Sequence, residues 1–73
     1  MLKAYSAQVY YNSEGDIKSV RCGVRATNEL EAEGYFRKYF GGDIEKIAEL
    51  QLAYGSAVMT LERHVEGDVT ILT

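Results

Sequence analysis

Apolar and polar residues alternate along the first part of the chain. In residues 2–11, LKAYSAQVYY, one side of an extended chain collects Tyr5, Ala7, Val9 and Tyr11 and the other Ala4, Ser6, Gln8 and Tyr10. A period of two predicts a strand with one buried face. Residues 17–25 follow the same logic, with Val20, Cys22 and Val24 set against Lys18, Ser19, Arg21 and Arg25. The turn-rich NSEGD between them predicts a hairpin with a loop from Ser13 to Asp16. That loop pairs Val9 with Val20, Ala7 with Cys22 and Tyr5 with Val24. The apolar faces coincide, as a half-buried sheet requires.

The period changes at ATNELEAEGYFRKYFGG. Thr27 or Asn28 is a suitable N-cap, and Asn28 with Glu31 has capping-box spacing. Glu29, Glu31 and Glu33 fall near the start of the predicted helix and Arg37 and Lys38 near its end, matching the helix dipole. Gly41-Gly42 supplies the stop. At 100° per residue, Ala32, Tyr35, Phe36, Tyr39 and Phe40 make one stripe, with Arg37 and Lys38 pointing away. GYFRKYFGG therefore reads as a core-filling helix face and not as a platform for stacked bases.

The next segment, IAELQLAYGSAVMTLERHV, is read as a hairpin about Gly55-Ser56, because glycine at the first central position suits a type II′ turn. Tyr54 then faces Ala57, Leu52 faces Met59 and Leu50 faces Leu61. A strand over 47–54 is preferred to a helix over 43–52, which Ile44, Ile47 and Ala48 also permit. A further hairpin at VEGDV sets Val65 against Val69 and Arg63 against Ile71. The expected architecture is a single α+β domain over residues 1–73, an antiparallel sheet with one helix packed on one face in the order β-β-α-β-β-β. The alternative order is β-β-α-α-β-β, with the second short helix at 43–52.

Composition narrows the function. With 73 residues, 47% apolar and 26% charged, one core is all the chain can build. The net charge of −3 disfavours polyanions and anionic membranes at long range. One cysteine, Cys22, has no internal disulfide partner, and neither a signal peptide nor a spanning segment is evident, so the expected location is cytoplasmic. Cys22 and His64 are the unusual reactive residues, and they fall on opposite predicted faces. Glu49, Glu62 and His64 share a face in the expected hairpin, but a solvated polar surface explains them better than a metal site. GGD before residue 44 terminates a helix and lacks the order of a phosphate loop. No cofactor is implied, and the chain is read as non-enzymatic.

What remains is surface. The sheet face turned away from the helix is expected to carry Ile17, Ile47, Ala53, Val58 and Leu72, mixed with His64, and apolar area of that kind invites a partner. The terminal VTILT lacks the charges that protect an edge strand. The preferred reading is a small protein–protein interaction module, an adaptor, regulator or inhibitor of the sort phages and mobile elements also encode, forming a homodimer. Its acidic surface, Glu29, Glu31, Glu33, Glu45 and Glu49, is suited to a cationic groove. The alternative is a single-stranded nucleic-acid binder using Tyr10 with Arg21 and Arg25.

Overall fold

The computed structural model describes residues 1–72. Two strands, β1 (Lys3–Ser13) and β2 (Asp16–Ala26), lead into helix α1 (Glu29–Phe40) and a 3-10 turn (Gly41–Asp43). Strand β3 (Ile44–Leu52), helix α2 (Ser56–Leu61) and the short strand β4 (Thr70–Ile71) follow. All pairings are antiparallel, in the sheet order β3-β1-β2-β4. The fold is α+β with one main helix on an antiparallel sheet.

The first hairpin has the register its hydrophobic pattern demands, with Val9 opposite Val20, Ala7 opposite Cys22 and Tyr5 opposite Val24. Its turn is tighter than the expected loop, because Ser13 and Asp16 pair directly. Glu14 (φ 54°) and Gly15 (φ 89°) both lie in the left-handed region, the type I′ arrangement that matches the twist of paired strands. The Gly15 N–H donates to Asn12 Oδ1 at 3.1 Å.

On the front face, Tyr5, Ala7, Val9, Cys22, Val24 and Ala26 bury against Ala32 and Phe36 of α1. Phe36 is fully enclosed, and burying one such ring contributes about 1.5–3 kcal/mol. The helix starts at Asn28, whose Oδ1 accepts from the Glu31 N–H at 2.8 Å. Glu31 Oε1 in turn accepts from the backbone and hydroxyl of Thr27, at 2.8 and 2.9 Å. Gly41, at φ 64°, closes the helix with its N–H on the Arg37 carbonyl. The expected inward stripe is narrower than five residues. Ala32 and Phe36 take its centre, Tyr35 and Phe40 flank it, and Tyr39 is 55% exposed. Phe40, packed on Tyr11 at 5.3 Å between ring centroids, fills the space, and Tyr39 rests against it edge-on from outside.

Strand β3 confirms an extended chain where a helix over 43–52 was the alternative. It is irregular: the register against β1 shifts between Ser6 and Gln8 and again between Tyr10 and Tyr11. Each shift inserts an extra β3 residue. Glu49, at φ 53°, sits in the first of these bulges. The bulges turn Ile44, Ile47 and Leu50 together onto the front core. Ile47, expected on the face away from the helix, therefore belongs to the opposite side, paired with buried Val9.

The hairpin expected at Gly55-Ser56 does not form. Gly55, at φ 65°, leads into α2, so the element order is β-β-α-β-α-β. Leu61 is wholly buried against the reverse face of the sheet, over Gly23. A methyl group on Gly23 would lie 2.7 Å from Leu61 Cδ1, so this approach needs glycine. Burial of Leu61 over that bare backbone, a contact between residues far apart in sequence, outweighs the local pairing that suggested a strand. The VEGDV segment makes a turn, with the Asp68 N–H on the Val65 carbonyl, but no hairpin. It runs alongside β2 instead, where the Gly67 N–H donates to the Arg25 carbonyl at 3.0 Å. Tyr35 covers Gly67 and donates its hydroxyl to Glu66 Oε2 at 2.9 Å. Val69 then joins the front core, and β4 pairs with β2.

Candidate functional site

Directly paired residues of neighbouring strands share a face, so the register fixes what the reverse face carries. The positions paired between its named strands hold three cations, Arg21, Arg25 and Lys46, and among the described residues no carboxylate; an isolated bridge sets Glu66 beside Arg25, with the Glu66 carboxylate turned to Tyr35. The acidic residues singled out from the sequence lie elsewhere: Glu29, Glu31 and Glu33 on α1, and Glu45 and Glu49 at the irregularities of β3. Two are already engaged. Glu33 pairs with Arg37 at 3.0 Å, and the Thr27 N–H and hydroxyl hold the Glu31 carboxyl below the usual carboxylate range. In a chain of net charge −3, the strand-paired positions of the reverse face are thus basic.

The three cations differ in availability. Arg25 is committed: its Nη1 donates to the carbonyls of Glu62 and His64, at 3.4 and 3.2 Å, tethering the chain after α2. Lys46 lies over the Tyr10 ring at 5.8 Å from its centroid, a cation–π distance. Arg21 is half-buried, and its one side-chain hydrogen bond, Nη2 to Ser6 Oγ, is long at 3.4 Å. The ion pairs among the described residues, Arg37–Glu33 and His64–Asp68, leave Arg21 out.

Because α2 covers only part of the reverse face, a cleft of about 320 Å³ lies between helix and sheet. Ser6, Arg21, Ser56 and Thr60 give it polar groups, and Tyr54, Ala57 and Leu72 give it apolar walls. Thr60 is not a free donor, since its hydroxyl is directed at the Ser56 carbonyl at 3.1 Å. Ser6 is 1% exposed and forms part of the floor.

Of the apolar residues expected to share a partner face, Leu72 reaches this cleft, with its N–H on the Arg21 carbonyl at 2.8 Å. Val58 is partly exposed on α2, and Ile17 is 56% exposed near the hairpin tip. Ala53 continues β3 by donating to the Ala4 carbonyl at 2.9 Å, and Ile47 is on the front. The set is divided between the two sides of the sheet. Tyr10 and Arg21 do share the reverse face, joined there by Lys46, while Arg25 is tied up. Sequence reasoning missed Lys46, Ser6, Ser56 and Tyr54 as site residues. The available signal was Gly23, a glycine inside an alternating strand that marks a close approach.

Cys22 and His64 are not brought together. Burial pushes the Cys22 thiol from 9.0 up to about 12, a smaller opposing influence coming from Arg21, and Sγ lies 3.8 Å from the Ala7 carbonyl. A thiol held neutral in the core is not a nucleophile at ordinary pH. His64 Nδ1 meets Asp68 Oδ2 at 3.1 Å beyond α2. Without the expected hairpin, Glu49 and Glu62 are not opposed, and among the described residues no three potential metal ligands converge. No helix among them is long and apolar enough to cross a membrane. Comparison with protein-family models, curated proteins and solved structures returned no match for the chain.

Proposed function

We propose that this chain is a non-enzymatic binding module whose partner is a protein presenting an acidic, extended segment to the reverse face of the sheet. The observation carrying this reading is the charge at the strand-paired positions of the reverse face: Arg21, Arg25 and Lys46 with no carboxylate, in a protein that is acidic overall. Complementary charge steers such an encounter and fixes its orientation. The module acts by occupying a surface, as an adaptor, regulator or inhibitor.

Tyr10, beneath Lys46 and diagonal to Arg21 on the same face, is the observation favouring single-stranded nucleic acid as a second reading. The number of available cations decides against it. Arg21 and Lys46 neutralising two phosphates would give a salt slope of only about 1.4, where established phosphate-tracking surfaces make roughly 6–10 contacts. Self-association through a face of one charge sign would place like charges together, so a homodimer through this surface is the weaker proposal.

The test is fluorescence anisotropy with a labelled peptide of alternating glutamate and apolar residues, run beside labelled oligothymidylate. The expected result is peptide binding that weakens with salt and falls about tenfold or more in the double variant Gln8→Glu, Lys46→Glu. Peptide binding that ignores the substitutions overturns the proposal. Oligothymidylate binding more tightly than the peptide replaces it with the nucleic-acid reading, and a mass near twice 8.2 kDa that returns to monomer in the double variant replaces it with self-association.

A further inference from the structure

We infer that the cleft between α2 and the sheet receives the C-terminal residue of that acidic segment, its carboxylate on Arg21 and its side chain against Ala57 and Leu72. This rests on the acidic-partner reading and names the anchor within it.

A guanidinium presents five N–H donors in a rigid fork that matches a carboxylate two bonds at a time. In Arg21 the fork makes one long side-chain bond, to a serine oxygen, and meets no carboxylate of its own chain among the described residues. Ser6 adds to the site because its oxygen accepts from Arg21, so its hydroxyl proton remains available to a ligand. Ser56 brings a third donor from the helix side of the same cleft. The polar groups therefore converge from β1, β2 and α2, three elements held in place by Leu61 over Gly23.

The walls decide which carboxylate fits. Inorganic phosphate would satisfy Arg21 but leave Ala57, Leu72 and Tyr54 without an apolar counterpart. An internal aspartate or glutamate would bring its flanking peptide groups against the same apolar walls, where unpaired polar groups are disfavoured. A chain terminus offers a carboxylate and a side chain on one carbon. Capture of a terminal carboxylate is an established mode of peptide recognition, and about 320 Å³ is at the small end of ligand pockets, room for the end of a chain and not for a helix.

The experiment uses the full chain, ¹⁵N-labelled, titrated with an acidic pentapeptide ending in valine, either as the free acid or as the C-terminal amide. The free acid is expected to bind about tenfold or more tightly than the amide, and it alone should shift the Arg21 Nε–H resonance and the Ser6 amide. In Arg21→Lys, which keeps the charge but loses the fork, the preference should shrink to within about threefold. Ser56→Ala, an exposed change that leaves the fold undisturbed, should reduce it partially. Equal affinity for acid and amide overturns this inference and leaves the acidic-face reading standing. If neither peptide binds but N-acetylvaline shifts the same two resonances, the face reading fails and a carboxylate site for a free organic acid remains. If inorganic phosphate shifts them as strongly as N-acetylvaline, the carboxylate assignment is overturned.

Discussion

The two faces of the sheet are built to different standards. The front is covered by a helix of 12 residues, capped by a side chain at one end and by a left-handed glycine at the other, over a continuous apolar cluster. The reverse is covered by a helix of six residues with no side-chain cap, holding on through one fully buried side chain, Leu61, beside a buried serine and a half-buried arginine. A short helix of this kind has little stability of its own and depends on tertiary contact. The contrast separates two tasks. Apolar burial on the front specifies the fold, and the lightly held reverse layer keeps polar groups that a well-packed core would exclude.

The sharpest way to break this comparison is Leu61→Ala, which should cost about 2–5 kcal/mol if the cavity does not collapse. Hydrogen exchange distinguishes the outcomes. Selective loss of protection over residues 56–72, with the centres of β1 and β2 spared, would show that the reverse layer opens on its own. Uniform loss would show that both faces unfold together and that the contrast is one of appearance only.

A second effect, read against pH, reports on the front. The folded state keeps the Cys22 proton up to about pH 12, whereas the unfolded chain loses it near 9.0. Above that lower value the folded state binds more protons than the unfolded one, so stability present below pH 9.0 declines as pH rises towards about 12. The slope approaches about 1.4 kcal/mol per pH unit at its steepest. Urea midpoints across this range should show the decline in the native chain and a shallower one in Cys22→Ala. Identical profiles would mean that the front core admits water.

The smallest expected effect concerns the strand serving both faces. Glu49 holds a φ of 53°, which glycine adopts without steric cost. Glu49→Gly should stabilise the protein by up to about 1 kcal/mol, read as a raised urea midpoint. Destabilisation would indicate that the Glu49 side chain itself supports the bulge that aligns Ile47 and Leu50.

The same contrast explains what the sequence made legible. Strict alternation fixed the register of the first hairpin, and an asparagine cap with a glycine stop fixed α1, because these signals are local. In β3 the bulges place Ile44, Ile47 and Leu50 on one side at intervals of three, a spacing that fits neither a regular strand nor a helix cleanly. The ambiguity between them was physical. Gly55 supplies a positive φ that serves a hairpin turn and a helix entry equally, and Leu61 over Gly23 decided between them across a long sequence separation. Arg21 and Lys46 could be aligned on one face only once the bulges were known. The cleft draws Ser6, Arg21 and Ser56 from three elements, and no spacing rule connects them.

After Leu61 on one side of the sheet, residues 62–68 pass beside Arg25 at the margin of β2 and deliver Val69 to the other side. Residues 62–71 thus clasp β2 around its margin. The recess beside Arg21 takes its walls from β1, β2, α2 and the residues around β4, so it exists only where all of these are assembled.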